Sequence, residues 1–309
     1  MQTPAEIAME LELSSPVDCV ADFTYNFYWQ HLGAKLQPDT PIPCQEGSAY
    51  TYRDVVETLK RGEDVHITGD VGHRLCSSFG VDLRFFSGTG GTITVGSVFV
   101  DGNVDTRMGI SMCSGAIYVA GAVKTPIGNV IEVTSDRAGY RKYRSITDIV
   151  CRGAGDDTLA APNTLSGARL HITDAIVRDT VGARCSCDAR ICVAGDVDLS
   201  TGILMKRGTV IVMGNAGMNS GALLSGGTVI IRGNSGAFAG IDMRSGVLVI
   251  GGTPEGYLGA KKRGGTIYAR GREALPPSKP LVLTQDDAVL LSRALGVAQL
   301  QAMMFKKFV

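Results

Sequence analysis

Charge imbalance is the first thing this chain lacks. In 309 residues, 30 basic side chains offset 30 acidic ones, and only 19% of residues are charged. A neutral chain has no electrostatic footprint for nucleic acid or an anionic membrane surface, so neither is expected as a partner. Long apolar runs are missing too. Nothing approaches the roughly 18 continuous apolar residues of a spanning helix. The N-terminal MQTPAEIAMELEL has no basic stretch leading into an apolar one. A cytoplasmic protein is expected. Histidine is scarce, with His31, His66, His73 and His171 the full set. No His-Glu-x-x-His, nucleophile elbow or paired-carboxylate cluster accompanies them. No catalytic, cofactor-binding or metal residues are assigned. His66 (VHITGD) and His171 (LHITDA) sit in matching strand-like segments, which predicts a shared structural role at a strand edge.

Cysteine is present, at 19, 44, 76, 113, 151, 185, 187 and 192, but paired CxxC spacing is not. In a reducing compartment these are expected as free thiols. Cys185, Cys187 and Cys192 form the one cluster that invites a metal reading, and its spacing does not match zinc or iron–sulfur patterns. Cys192 also occupies a regular strand position, so the group is read as small buried side chains.

What the chain has in excess is glycine, 40 in all, and it is ordered. One column is Gly195, Gly214, Gly233, Gly252 and Gly271. A second is Gly202, Gly221, Gly240 and Gly259, and a third is Gly208, Gly227, Gly246 and Gly265; every step is 19 residues. A fixed period near 20 residues marks a solenoid, whose repeats bury their apolar faces only by stacking. The pieces GTVIVMGN, GTVIIRGN, GVLVIGGT and GTIYARGR superimpose without gaps, and their β-branched content reads as strand. The expected fold is all-β: a right-handed parallel β-helix with 19-residue coils, capped by N- and C-terminal helical segments. The glycines are expected at corners, where φ is positive and where a side chain would crowd the next coil.

Alternation along the strands separates inside from outside. Val210, Val229, Leu248 and Ile267 form one inward column, and Val212, Ile231, Ile250 and Ala269 another. Past the corner, Ile203, Ala222, Ile241 and Ala260, then Met205, Leu224 and Met243, are also read as inward. Position 211 should face out, yet its column is Ile211, Ile230, Val249 and Tyr268. A stacked apolar strip on an outer face implies a cover, either this chain's own terminal segment or a partner subunit.

An earlier block repeats the signature, with Gly102 and Gly121 one period apart, Val98, Val100, Ile117 and Val119 inward, and Phe99 and Tyr118 continuing the outer strip. The expected organisation is an N-terminal arm and cap (1–64), a first β-helix block (65–123), an irregular insertion (124–169), a second block (170–271) and a C-terminal helical arm (272–309), all within one structural domain. Helices are predicted at Tyr52–Lys60, with Thr51 as N-cap and Gly62 as stop, and from Thr284 to Leu295, with Gly296 as terminator. The local GxGxxG-like matches are absorbed by the period and open no helix, so dinucleotide binding is not expected. Asp196, Asn215 and Asn234 follow corner glycines and are candidates for side-chain ladders.

Coils of the type GNAGMNSGALLSGGTVIIRGNSGAFAGIDMRSG (214–246) resemble the GXGXG family. That family comprises the C-terminal β-helical domain of glutamate synthase large subunits and the β-helical subunit of formylmethanofuran dehydrogenase. The resemblance covers 65–123 and 170–271. It implies a non-catalytic scaffold subunit of a formylmethanofuran dehydrogenase-type oxidoreductase complex. This chain would carry no cofactor, and its protein partners would bear molybdenum or tungsten pterin, zinc or iron–sulfur clusters. A separate subunit of a glutamate synthase-like amidotransferase is the alternative. From another class, a stand-alone β-helix enzyme such as a polysaccharide lyase or acyltransferase is the second alternative.

Overall fold

A strand that buries its apolar face only against its own copy one coil away has to pair in parallel, in a register set by the period. The computed structural model describes residues 8–25, 37–271 and 273–309; the first seven residues, His31 and Arg272 lie outside them. The chain divides into two compact units, 1–149 with 154–160, and 150–153 with 161–309, rather than one domain. The physical reason lies in how each parallel stack ends.

In the first unit, β1 (Met9–Leu13), β3 (Val65–Thr68), β4 (Val98–Val100) and β5 (Ala116–Val119) pair in parallel in that order. Strand β2 (Gln45–Glu46) edges β1. Helix α1 (Tyr52–Lys60) starts at a reciprocal Thr51–Asp54 capping box, as its sequence predicts. Beyond β5 the ladder reverses. Strand β7 (Arg141–Ser145) pairs antiparallel with β5, and β6 (Val130–Val133) pairs antiparallel with β7. Helix α2 (Ile146–Arg152) follows in the chain. The insertion at 124–169 therefore contains the strands that close this stack. Strand β1 is also a full parallel member of it, within a segment read from sequence as an arm.

In the second unit, β8 (Thr164–Ser166) lies antiparallel on β9 (Arg169–Ile172). Parallel pairing then runs through β10 (Arg190–Val193), β11 (Thr209–Val212), β12 (Ser225–Ile231), β13 (Ser245–Ile250) and β14 (Thr266–Ala269). Val210 faces Val229, Val229 faces Leu248, and Leu248 faces Ile267, the register that the glycine period demands. Strand β15 (Pro280–Leu281) leads to α3 (Gln285–Leu295), which has a Thr284–Asp287 capping box and a left-handed C-cap at Gly296. The short α4 (Gln299–Ala302) precedes β16 (Lys306–Phe308), which closes the stack antiparallel to β14.

The glycine columns divide by mechanism. Gly221 and Gly240 hold φ of +68° and +70°, where a Cβ is penalised. Gly214, Gly233 and Gly252 do not have positive φ; a Cβ there would lie 2.1–2.5 Å from the side-chain oxygen of Asp196, Asn215 or Asn234 in the preceding coil. Those oxygens form a ladder. Asp196 Oδ1 accepts from the Asn215 N–H at 2.6 Å, Asn215 Oδ1 from the Asn234 N–H at 2.9 Å, and Asn234 Oδ1 from the Thr253 N–H at 2.9 Å. The first unit has its own version, Asp70 to Asn103 to Ala122.

One inward column needs correction. Ala222 is buried, but Ile203, Ile241 and Ala260 of the same column are half-buried, while Thr201, Ser220, Ala239 and Leu258, two positions earlier, are fully buried. Ser200, Gly202 and Leu204 all take positive φ, so the period-two alternation of a strand does not carry through the corner. The column Met205, Leu224, Met243 is buried as expected and continues into Lys262, only 2% exposed.

Candidate functional site

The outer strip is where sequence points for interaction, and both units have one. In the second, α3 runs over it. Ile211, Ile230, Val249 and Tyr268 are buried in one cluster with Ala288, Leu291 and Leu295 of α3, Ala302 of α4, and Phe305. The cover of these four candidate interface residues is thus the chain's own C-terminal segment, whose α3 presents apolar side chains at helical spacing. Arg190 and His171 are exposed, and Arg190 lines a groove with Asp286, Val289 and Arg293 of α3.

A polar clasp anchors the cover. The Tyr268 hydroxyl donates to Asp287 Oδ1 at 2.5 Å, and Lys307 Nζ lies 3.0 Å from that oxygen and 5.9 Å from the Tyr268 ring centroid. Burial by itself would raise the Asp287 carboxyl. Hydrogen bonds from the Thr284 N–H, Tyr268, Lys307 and the Thr284 hydroxyl hold it well below the ordinary carboxylate range. Burial and the adjacent Asp287 push the Tyr268 hydroxyl up.

The first unit repeats this clasp with different cover. Phe99 stacks on Tyr118 at 4.5 Å, and Tyr140 meets Phe99 edge-on at 5.8 Å. Tyr118 donates to Asp136 at 2.8 Å, and Lys142 Nζ sits 3.0 Å from Asp136 and 5.5 Å from the Tyr118 ring centroid. Register accounts for the match: the closing strand places Lys142 opposite Tyr118 in one unit and Lys307 opposite Tyr268 in the other. Lys142 also reaches Asp157 at 2.9 Å, and Arg144 bridges Asp157 and Asp148 at 2.8 and 2.6 Å. Burial, with the bond to Asp136, raises the Tyr118 hydroxyl to about 12. His66 lies 3.1 Å from the Tyr140 hydroxyl and 3.2 Å from Asp101, and Tyr140 also donates to Asp101. His66 and His171 do share a strip position, His171 pairing with Cys192 and His66 with Phe99. Their surroundings differ, since His171 is exposed.

The cysteines depart from expectation. Cys151 and Cys187 form a disulfide, and the Cys185 thiol lies 3.8 Å from each of their sulfurs. Cys192 is not part of this group but sits in the strip column opposite Ile211. Cys151 could not be paired from sequence because its approach is purely through space, 34 residues from Cys185. Redox compartment argues about poise and says nothing of which sulfurs the fold brings together. Burial pushes the Cys185 thiol up. Among the described residues, Cys151, Cys185 and Cys187 place three metal-ligand atoms within 4.8 Å of one another.

A further groove, of about 720 Å³, is lined by Arg169, Arg190, Arg207 and Asp188. Its cations are solvent-exposed, and Arg207 is paired with Asp188 at 2.7 Å. The strips, the clasps and the sulfur cluster stand on a β-solenoid with 19-residue coils, and that architecture is the class the geometry defines.

No family model matches the chain. A protein of Methanothermobacter thermautotrophicus, described as uncharacterized, is 57% identical over 204 residues, which are 66% of this chain and 65% of that protein. The chain thus spans just under two thirds of that relative's length. Among solved structures, a chain of the formyltransferase/hydrolase complex of Methylorubrum extorquens, in complex with methylofuran, matches over 95% of this chain and 91% of its own. The identity is 16% and the TM-score 0.29, a likeness too loose to bear on function. No helix among the described residues is long and apolar enough to cross a membrane.

Proposed function

We propose that this chain is a scaffold subunit of a multi-subunit oxidoreductase complex of the formylmethanofuran dehydrogenase type, with the chemistry and the cofactors in its protein partners. The coil type supports the choice of complex, through its resemblance to GXGXG coils. The observation that carries the scaffold role is an apolar surface left at the C-terminal end of the second unit. The strip itself is covered, yet Val282 and Leu300 are 90% and 83% exposed. Leu281, Val282, Leu283, Met303 and Phe305 share a shallow groove of about 420 Å³. Exposed apolar side chains grouped this way mark a protein-binding face. The partner would therefore meet the outside of the C-terminal arm, not the strip beneath it.

Affinity purification of the tagged chain from its native host tests both parts. Metallohydrolase-like and pterin-containing subunits should co-purify, and Val282→Asp combined with Met303→Asp should release them without lowering the melting temperature. Recovery of flavin-binding and glutaminase subunits would select the glutamate synthase-like alternative. A lone monomer would sink the scaffold reading.

A further inference from the structure

We propose that reduction of the Cys151–Cys187 bridge opens a three-thiolate site, formed by Cys151, Cys185 and Cys187, for one soft divalent cation of the Zn²⁺ class. The inference rests on spacing, ligand type and access, and is independent of the partner complex.

A tetrahedral zinc–thiolate centre has Zn–S bonds of about 2.3 Å, so two of its sulfurs stand about 3.8 Å apart. The Cys185 sulfur already lies 3.8 Å from the sulfur of Cys151 and 3.8 Å from that of Cys187. Two of the three edges therefore have the required length, and only the bonded edge has to open. The next coil holds the loop in place. Lys206 N–H and Arg207 N–H both donate to the Cys185 carbonyl, at 2.8 and 3.1 Å, and the Cys185 N–H donates to the Gly182 carbonyl at 3.2 Å. A site whose loop is already fixed loses little freedom on binding.

The donor set is all sulfur, which selects thiophilic cations and rejects Mg²⁺ and Ca²⁺. Cys185 is buried while Cys151 and Cys187 are half-buried. The cation would enter from the Cys151–Cys187 side and keep a fourth position open to water or an incoming ligand, as in open zinc sites.

The chemistry balances in two steps. A dithiol reductant transfers two electrons and two protons to the bridge, which becomes two thiols while the reductant closes to its own disulfide. The three cysteine thiols then bind the cation as thiolates and release three protons. A disulfide oxidant reverses the sequence: it accepts two electrons from the Cys151 and Cys187 thiolates and two protons from solvent to become a dithiol, while the bridge closes and the cation leaves.

Cobalt(II) is the probe, used on the full-length chain before and after reduction with a phosphine and anaerobic removal of the reductant. The reduced chain should take up about one Co²⁺, with thiolate-to-cobalt charge transfer and the visible bands of tetrahedral cobalt, both displaced by Zn²⁺. The oxidised chain should take up none. Cys185→Ser should lose the signal and Cys192→Ser should retain it. A readout that needs no variant is mass-spectrometric mapping of alkylation in the reduced wild type. Zn²⁺ should shield Cys151, Cys185 and Cys187 while leaving the exposed Cys44 reactive. No cobalt uptake by the reduced chain would overturn the proposal, leaving a thiol switch only. Equal uptake by Cys185→Ser, or shielding of other cysteines instead, would overturn it as well.

Discussion

The two units solve one problem by different means. Both stack parallel strands whose outer strip is too apolar to leave bare, and both end the stack with an antiparallel strand that sets a lysine opposite a tyrosine. In the second unit the cover is an apolar helix over Ile211, Ile230, Val249 and Tyr268. In the first it is the β6–β7 hairpin, with Tyr140 against Phe99 and a run of ion pairs through Lys142 and Arg144. After a first step of 21 residues from β9 to β10, the core columns of the second unit keep a strict 19-residue coil. The first unit does not, since Asp70 and Asn103 occupy successive rungs 33 residues apart. The extra residues leave at a corner, around Arg84–Phe86, and the strand register survives. Coil length is thus free at corners and fixed along strands, where hydrogen bonds and the core column both depend on it.

Four sets of substitutions separate what the two units share from what each does alone, in decreasing order of cost. Arg178, fully buried near the start of the second unit, pairs with Asp174 at 2.5 and 2.8 Å. Removing one partner of a buried pair costs about 3–5 kcal/mol. Arg178→Ala should lower stability by that amount and raise hydrogen exchange in β8–β10, with β3–β5 of the first unit unaffected.

Next come the clasps. Tyr268→Phe removes a hydrogen bond to a charged group, a loss of about 1.5–3 kcal/mol. Tyr118→Phe should cost less, because the Asp136 side chain is 59% exposed against 8% for Asp287. The Asp287 carboxyl is held below its ordinary value of 3.8, so its contribution is complete above that pH and declines as the pH falls below it. Asp287→Asn should flatten this acid limb in urea midpoints measured across pH.

The corner glycines test packing. Gly240→Val should cost about 1–3 kcal/mol for the backbone alone. It should exceed Gly221→Val, because the new Cβ meets Ile267 Cδ1 at 2.6 Å where at Gly221 it meets Leu248 Cδ2 at 3.3 Å. Equal melting temperatures for the two variants would contradict the inward aim of these corners.

The smallest effect is a gain. Lys262 occupies the core column of Met205, Leu224 and Met243, and burial lowers its pKa from the ordinary 10.5. The unfolded chain holds that proton more tightly, so stability rises with pH through the window just below 10.5. Lys262→Met should add about 0.5–2 kcal/mol at neutral pH and remove that slope, as calorimetry would show.

Much of the fold is legible in the residues, because its signals are local or periodic. The Thr51 and Thr284 caps, Gly296, the strand columns and the 19-residue register all follow from side-chain chemistry repeated at a fixed interval. What escapes is non-local or non-repeating. Leu204, Leu223, Asp242 and Lys261 hold positive φ at successive corners, although none is a glycine. They are held there by coil-to-coil hydrogen bonds such as Leu223 N–H to the Ile241 carbonyl at 2.9 Å. The closing strands β7 and β16 are short, charged and unlike the coils they pair with, so nothing in their composition announces a sheet. Cys151 joins Cys185 and Cys187 only through space. Of the candidate sites, the strip is visible from its column of apolar residues, and its cover in the second unit is one of the two that the column implies; the clasps leave no periodic signal.

The asparagine ladder has a further consequence. Each unit's ladder opens on an aspartate, Asp70 or Asp196, passes through asparagine, and stops at a residue with no side-chain carbonyl, Ala122 or Thr253. An asparagine rung accepts from the coil ahead and occupies a place served by the coil behind, whereas the terminal residues only receive. The ladder therefore has a beginning, a direction and a full stop, and the number of asparagines between counts the coils. Duplicating one 19-residue segment adds a whole rung and leaves both ends as they were. Length in such a molecule is an integer, inherited one coil at a time.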